Sequence, residues 1–255
     1  MRLNYLLCAM LFHERAIIRL ETIDSTNNYA ANLVRLSQPP EGTVITAQEQ
    51  SAGKGQRNSN WESHSGENLL CSVILYPKFL NASNQFCLSQ AIALAVQEII
   101  EKETTTETYI KWPNDIIVND KKIAGILIEN TWTNQRLGSS VIGIGINVNQ
   151  TSFDTLKATS VRRITGKSFD IEACLLHLIQ SLEKYYFKLQ AGGTSEIVRH
   201  YLGHLYRINQ VTDFLFENQQ IRASIIGVDQ SGRLKLRTES GPPLTCDLKE
   251  ISMIL

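Results

Sequence analysis

The segment Lys-Trp-Pro-Asn-Asp at residues 111–115 is the stretch that decides the fold of this chain. Proline fixes its own backbone and keeps the residue before it extended, so Trp112 and Pro113 mark a rigid turn rather than a helix. We therefore expect the side chains of Asn114 and Asp115 to leave a short strand in a defined direction. Apolar runs on both sides of the turn predict that it joins strands of a buried β-sheet.

The residues that follow extend this pattern. Lys121 and Lys122 come next, and Gly-Ile-Leu-Ile-Glu occupies residues 125–129. Two separated cations, a rigid turn, an amide beside a carboxylate and a glycine therefore fall within one short stretch. A β-hairpin with a lysine-rich surface turn would explain the lysines alone, and for them we favour that interpretation. The whole pattern indicates a functional site instead.

Hydrophobic periodicity predicts a main α/β body followed by a small antiparallel β domain. We place the boundary after residue 205, which gives domains 1–205 and 206–255. The polar, glycine-containing stretch 51–66 is a long loop of the kind that usually carries function. The predicted strands of the main body are 17–23, 43–47, 68–76, 108–111, 116–118, 123–130 and 141–148, its helices are 27–36, 83–102, 171–189 and 195–205, and the later strands are 210–216, 220–228, 232–237 and 244–248.

Composition excludes several classes of protein. The chain has 255 residues, 43% of them hydrophobic, and its 25 Lys and Arg balance its 25 Asp and Glu. No overall field attracts nucleic acid or an anionic membrane, and no run of roughly 20 apolar residues would span a bilayer. The five cysteines are scattered without Cys-x-x-Cys spacing, as in a reduced cytoplasmic protein without a zinc site. We expect the apolar residues 1–12 to be a start-site extension or a first strand rather than a cleaved leader.

Three further motifs accompany the Lys-Trp-Pro-Asn-Asp segment in order along the chain. They are Asp-Ser-Thr-Asn at 24–27, Gln-Ser-Ala-Gly-Lys-Gly-Gln-Arg at 50–57 followed by Trp61, and Gly-Ile-Gly-Ile-Asn-Val-Asn at 143–149. Together the four segments resemble the biotin protein ligases, also called biotin-[acetyl-CoA-carboxylase] ligases. The resemblance covers residues 17–255. It implies an α+β fold with a mixed central β-sheet flanked by helices, as in class II aminoacyl-tRNA synthetases, and a small carboxy-terminal SH3-like β-barrel.

The resemblance also implies a two-step reaction. Biotin would be activated with ATP and Mg²⁺ to biotinyl-5'-AMP, with release of pyrophosphate, and then transferred to a lysine of a biotin carboxyl carrier protein or domain. A carboxylate is already ionised at neutral pH, so the first step needs positioning and charge stabilisation rather than a base. The acceptor lysine is almost wholly protonated at that pH, so the second step needs a proton acceptor. Asp115 is our candidate for it.

The residues that match the family's functional positions form three groups, and no protein metal site is among them. Some have ordinary alternatives: Ser25 and Thr26 could cap a helix, Trp61 could be core, and the Gly53-Lys54-Gly55 turn could be only a turn. The catalytic group is Lys111, Lys122, Asp115 and Arg57; the biotin group is Ser25, Thr26, Asn27, Gln50, Lys54, Gly55, Gln56, Lys122 and Gly125; the ATP group is Trp61, Lys111, Asn114 and Asn147.

The glycine-rich loop departs from the family. The usual sequence there is Gly-Arg-Gly-Arg-Arg-Gly, whereas residues 53–58 read Gly-Lys-Gly-Gln-Arg-Asn. Lys54 keeps a charge but loses the bidentate fork of arginine. Gln56 replaces a cation that would grip the acyl phosphate, so that role could shift to Arg57. Retention of the adenylate is the property that this difference affects.

Two other functions remain open at this stage. A lipoate ligase would share the fold and both chemical steps, but its long apolar acyl tunnel would not need the Ser, Thr and Gln set. A non-catalytic biotin- or nucleotide-binding module would be favoured by loss of the lysines, which are present. Because only residues 1–16 precede the first strand, we expect no DNA-binding repressor domain. We expect a cytoplasmic monomer or homodimer without nucleic-acid or membrane partners.

Overall fold

Alternating and fully apolar segments build two β-sheets joined by helices. The computed structural model describes residues 17–56, 59–133, 136–239 and 241–254. Both α and β elements occur, and the α+β class is confirmed. The elements are β1 (Ile17–Ile23), α1 (Thr26–Ser37), β2 (Val44–Gln50), β3 (Leu69–Leu75), α2 (Phe86–Thr104), β4 (Tyr109–Lys111), β5 (Asp115–Val118), β6 (Lys121–Thr133), β7 (Arg136–Ile146), α3 (Val161–Thr165), α4 (Ile171–Gln190), α5 (Thr194–Gly203), β8 (Val211–Phe216), β9 (Gln219–Val228), β10 (Leu234–Thr238), β11 (Leu244–Cys246) and β12 (Ile251–Met253).

The larger sheet has seven strands in the order β1-β2-β3-β7-β6-β5-β4. β1 pairs with β2 in parallel, and the other neighbours are antiparallel, so the central sheet is mixed as predicted. β3 and β7 lie at its centre, and every residue of β3 is buried. This explains why the sequence of β3 is apolar almost throughout, since a strand covered on both faces shows little alternation.

The two faces of the larger sheet pack against different parts of the protein, and the residues of β7 show the difference. Ile142, Ile144 and Ile146 point to the face covered by α2, where the main hydrophobic core lies. Burial of each such side chain contributes about 1.5–3 kcal/mol relative to exposure. Gly143 and Gly145 alternate with these isoleucines and therefore point to the opposite face. That face carries α1 at one end and leaves an open strip of backbone beside it.

The smaller sheet has five antiparallel strands in the order β11-β10-β9-β8-β12. The predicted closed barrel is not seen within the described part of the chain, where β11 and β12 form opposite edges and do not pair. Both edge strands have only three residues, which leaves too few ladder bonds to close the sheet. The predicted domain boundary falls between α5 and β8 and stays a prediction.

Among the described residues, side-chain hydrogen bonds join the larger sheet to the smaller sheet and to the segment that precedes it. Trp112 Nε1 donates to the carbonyl of Gly232 at 2.8 Å, and the Tyr206 hydroxyl donates to Asp120. Gly232 also lies against Phe86 at the start of α2. The Trp-Pro turn that the sequence singled out therefore touches both sheets.

The cysteine prediction can be tested for four of the five residues. Cys71, Cys87, Cys174 and Cys246 are buried free thiols, whereas Cys8 lies outside the described residues. Among the residues that the structure describes, no group of three or more His, Cys, Asp or Glu side chains could hold a metal ion. None of the described helices combines the length and the apolar character needed to cross a membrane.

Candidate active site

A first cavity opens on the glycine-bearing face of the larger sheet. It is bounded by the start of α1, the end of β2, the 51–61 loop and the central strands. The predicted biotin residues all contribute to its wall. The lining residues are Ser25, Thr26, Asn27, Gln50, Lys54, Gly55, Gln56, Trp61, Leu70, Cys71, Asn114, Lys122, Gly125, Ile126, Leu127, Gly143, Ile144 and Gly145.

The α1 end of this cavity is a buried polar network. Gln50 Oε1 accepts from the backbone N–H of Thr26 at 2.7 Å and from its hydroxyl at 3.0 Å. Ser72 Oγ lies 2.8 Å from Thr26 Oγ1 and 2.6 Å from Asn27 Oδ1. Ser25 stands at the N-cap position of α1 but makes no side-chain capping bond. Gln50 supplies a partner for the helix instead, which leaves the hydroxyl of Ser25 available at the cavity.

Three glycines form the floor of the cavity because larger residues would not fit. A Cβ on Gly145 would lie 2.5 Å from the ring of Trp61, and one on Gly125 would lie 2.9 Å from it. A Cβ on Gly143 would collide with the side-chain amide of Asn27. Trp61 is thus packed flat against the strand backbone. Its Nε1 is buried without a hydrogen-bond partner among the described residues.

Lys122 stands where the first cavity meets a second one. Its Nζ forms an ion pair with Asp115 Oδ1 at 2.7 Å and lies 5.5 Å from the centre of the Trp61 ring. Both side chains of the ion pair are partly exposed, 38% for Lys122 and 24% for Asp115. The cation therefore remains accessible to a ligand anion. A carboxylate that extended from the first cavity would meet it.

The second cavity, which is larger than the first, lies between the two sheets. One wall is Lys111 and the Trp-Pro-Asn-Asp turn, with Trp112-Pro113 as a cis peptide bond. The other wall is apolar and comes from the smaller sheet. Gln56, Asn114 and Lys122 line both cavities. The residues of the smaller sheet in the wall are Phe214, Ile225, Leu234, Leu248, Ile251, Ser252 and Met253.

Lys111 is held in a setting that disfavours its charge. Burial lowers its pKa below the ordinary lysine value; Asp115 raises it, and Lys122, Lys157 and Arg207 lower it again. Lys111 and Lys122 place two cations in the wall of the second cavity, which suits it to a polyanion such as a triphosphate. Cys71 also borders the site, but burial raises its pKa to about 12, so its thiol stays protonated and is no nucleophile.

The structure brings most of the predicted site residues together. Lys111 and Asp115 lie in the second cavity and the biotin group in the first. Trp61, which belongs to the predicted ATP group, lines the first cavity only. Asn147 is in the wall of neither cavity, and its Nδ2 donates to the carbonyl of Thr159 at 2.9 Å. Arg57 lies outside the described residues.

Two components of the site were missed by sequence reasoning. Ser72 carries a signal that could have been used, because it is the one polar side chain in the otherwise apolar sequence of β3. A buried hydroxyl in such a strand needs a hydrogen-bond partner, so its presence indicates a polar network beside the strand. The apolar wall from the smaller sheet carries no local signal, because the same residues would look like ordinary core.

Comparisons with known proteins agree with this geometry. A family model described as the Biotin/lipoate A/B protein ligase family matches residues 20–147. The bifunctional ligase/repressor BirA of Bacillus spizizenii is 35% identical over 231 residues, which cover 88% of this chain and 70% of that protein. The biotin--[acetyl-CoA-carboxylase] ligase of Paracoccus denitrificans is 27% identical over 230 residues, covering 87% of this chain and 94% of that one.

Solved structures give the same answer. The biotin protein ligase from Aquifex aeolicus in complex with biotin and ATP matches with a TM-score of 0.77 and 27% identity, covering 93% of this chain and 98% of that one. The chain belongs to the biotin/lipoate A/B protein ligase family. Within that family it is a ligase of the biotin protein ligase group.

Proposed function

We propose that this enzyme condenses biotin with ATP to biotinyl-5'-AMP and then transfers biotin to a lysine of a biotin carboxyl carrier domain. The observation that carries the proposal is the junction of the two cavities. A small polar-ended cavity and a larger cationic one share Lys122, Gln56 and Asn114. An acid bound in the first cavity and a nucleotide bound in the second would therefore meet at one lysine.

In the first step the carboxylate of biotin attacks the α-phosphorus of ATP, and pyrophosphate leaves. Lys122 is placed to orient the carboxylate and to offset its charge beside the phosphate. Lys111 would stabilise the charge that grows on the phosphate oxygens. Burial and the neighbouring cations lower the pKa of Lys111, and a bound phosphate would favour its charged form.

The residues present fit Mg²⁺ carried in on the phosphates rather than a preformed metal cage. Mg²⁺ usually keeps waters and binds one or two carboxylates together with substrate phosphates. Asp115, aided by Asn114, is the carboxylate available for this in the second cavity. The ion would neutralise phosphate charge when bound. Asp115 then remains at the site for the second step, in which we propose that it accepts the proton of the incoming lysine.

The polar end of the first cavity favours biotin over lipoate. The ring of biotin is a cyclic urea with two N–H donors and one carbonyl acceptor, whereas a dithiolane offers neither. Thr26 and Gln50 supply paired polar groups at the buried end of the cavity, and Ser72 lies behind them in contact with Thr26. Trp61 and the glycine floor supply flat apolar contact for the rest of the ligand. Lipoate would leave the polar groups of this pocket without hydrogen-bond partners, and biotin in an apolar tunnel would leave its urea unpaired. Either mismatch would weaken binding.

A transfer assay tests the proposal directly. Purified protein, ATP, Mg²⁺ and a biotin carboxyl carrier domain are incubated with biotin or with lipoate, and the carrier is weighed by intact mass spectrometry. We expect the carrier to gain one biotin less one water, and no lipoate. No gain with biotin, or equal gains with both acids, would reject the function proposed here.

Lys122→Ala separates a catalytic deficit from misfolding. We expect at least a tenfold loss of biotin-dependent pyrophosphate release. Among the residues that the structure describes, Lys122 is the only cation that lines both cavities, and the variant removes it. Lys121→Ala is the matched control, since Lys121 is the preceding residue of β6 and lines neither cavity. Thermal unfolding should be similar for both variants. Normal turnover of Lys122→Ala would show that its assigned role is wrong.

A further inference from the structure

Asn27 joins two strands across the floor of the first cavity. Its Oδ1 accepts from Ser72 Oγ of β3 at 2.6 Å, and its Nδ2 donates to Glu129 Oε2 of β6 at 2.8 Å. The side chain crosses β7 at Gly143, where a Cβ would lie 2.9 Å from Asn27 Cγ. Asn27 is 3% exposed and Ser72 0%, whereas Glu129 is exposed. An exposed carboxylate is thus connected to the buried end of the cavity.

The direction of each hydrogen bond in this network follows from Glu129. A carboxylate can only accept, so Asn27 must turn its NH₂ group towards Glu129 and its oxygen towards Ser72. Ser72 has one proton, and it is then committed to Asn27. Ser72 therefore cannot donate to the hydroxyl of Thr26, although the two oxygens are 2.8 Å apart. Thr26 keeps its lone pairs available for a ligand N–H.

Gln50 is oriented from the other side. Its Oε1 accepts from the backbone N–H of Thr26 at 2.7 Å, so its NH₂ group is the end left for a ligand. The cavity then presents an acceptor on Thr26 and a donor on Gln50. These are the complements of an N–H and a carbonyl of a cyclic urea.

We propose that Glu129 is a positioning residue that sets the donor and acceptor pattern with which the first cavity recognises the urea ring of biotin. The inference rests on the proposed function and deepens it, since it names how the acid is selected. Glu129 acts through Asn27 and Ser72 without touching the ligand. Reversal of the Asn27 amide would send the Ser72 proton to Thr26 and block the acceptor that biotin needs.

Reversal can be forced by a residue that only donates. Glu129→Lys requires Asn27 to present its oxygen outwards and its NH₂ group to Ser72. We expect the KM for biotin to rise about tenfold, as for a ligand that meets an unsatisfied polar group, while kcat and the KM for ATP stay within about twofold. Glu129→Gln, which allows either orientation, should give an intermediate KM. Glu21→Lys makes the same charge change on β1, outside the first cavity, and should leave the KM for biotin unchanged.

A charge-exchanged pair supplies the decisive measurement. In Asn27→Asp combined with Glu129→Lys, one oxygen of the new aspartate accepts from the new lysine and the other from Ser72. The native direction of the Ser72 proton is restored, so the KM for biotin should fall back towards the wild-type value. Asn27→Asp alone sets two carboxylates side by side and should be worse than the pair. If Asn27 and Glu129 only held the strands together, the KM for biotin would not follow this order among the variants.

The outcomes separate the two proposals. If the wild-type protein does not biotinylate the carrier, the proposed function fails. If it does, an unchanged KM for biotin in folded Glu129→Lys overturns the role of Glu129 alone, as does a double variant no better than Glu129→Lys. Where thermal unfolding shows that Glu129→Lys is not folded, Glu129→Gln decides, because an unchanged KM for biotin in that variant also overturns the role.

Discussion

Lys111 shows at the scale of one residue how the free enzyme trades stability for binding. Burial removes water from its ammonium group and lowers its pKa; Asp115 works in the opposite direction, and three further cations strengthen the effect of burial. A folded-state pKa below the unfolded value means that the folded chain binds this proton less readily. Below the folded pKa the charged lysine therefore destabilises the fold, and the penalty is relieved as pH rises through that pKa.

Lys111→Met should make the protein more stable and less active. The uncharged side chain keeps the apolar contacts of the stem but removes a buried cation, so we expect the melting temperature at pH 7 to rise by about 2 °C or more. Biotin-dependent pyrophosphate release should fall by at least tenfold, because the phosphate charge loses a partner. Lys121→Met is the comparison, because Lys121 is partly exposed and lines neither cavity, and it should change neither. A lower melting temperature for Lys111→Met would contradict this account of its charge.

Site residues could be predicted from the sequence where they stand in a short motif, because the residue and its neighbours in the chain then identify the position. Thr26, Gln50 and Lys122 stand in short motifs whose chemistry fits a small acid and a phosphate. Glu129 was noticed only as the end of a motif, because its link to Asn27 spans 102 positions. Asn147 closes a strand as expected, but its amide is used to hold the segment at Thr159. Long-range pairing of this kind has no local signature.

The turn between β9 and β10 is the element that holds the smaller sheet against the site. Asp229 orders it by accepting from the backbone and side chains of Ser231 and Arg233. Partial burial raises the pKa of Asp229, but these hydrogen bonds outweigh it and lower the pKa to about 2. Gly232, at φ +96°, then brings its carbonyl to Trp112 and its Cα against Phe86.

Gly232→Ala should weaken ATP binding selectively. A Cβ there would lie 2.5 Å from the Phe86 ring in addition to the cost of a positive φ, which is about 1 kcal/mol. We expect the KM for ATP to rise several-fold while the KM for biotin changes little. Gly166→Ala is the matched control, because it has φ +74° and open space around its Cβ. It should lose similar backbone stability without any change in KM, and equal kinetic effects in both variants would refute the docking role.

Element types were largely predictable, and the misses have a common cause. The predicted strand 17–23 and helix 171–189 agree with β1 and α4 to within one residue. α3 and β12 were not predicted, because five and three residues are too short for a periodic pattern to emerge. β6 continues to Thr133, beyond the predicted end at 130, because its pairing with β7 continues through Trp132 and Thr133. Pairing in the folded protein thus determines these short elements and strand ends, which the local sequence does not indicate.

At the scale of the whole molecule the two proposed substrates would be bound by different parts of the fold. The first cavity is built within the larger sheet, whereas the second has one wall from each sheet. The hydrogen bond from Trp112 to Gly232 links those walls, and that from Tyr206 to Asp120 joins the segment before β8 to the turn between β5 and β6. A nucleotide that fills the second cavity adds contacts to both sheets at once. Biotin alone, bound in the first cavity as proposed, would contact only the larger one.

Hydrogen exchange can detect this difference in the intact chain. A nonhydrolysable ATP analogue with Mg²⁺ should slow amide exchange in β8, β9 and β12 as well as at the Trp-Pro turn, because a ligand that binds the docked state suppresses opening in proportion to its occupancy. Biotin alone should protect the start of α1 and the end of β2 and leave the smaller sheet unchanged. Protection of β8 and β12 by biotin alone, or none by the nucleotide, would contradict a second cavity shared between the sheets. Absence of protection by the nucleotide would place its binding within the larger sheet alone.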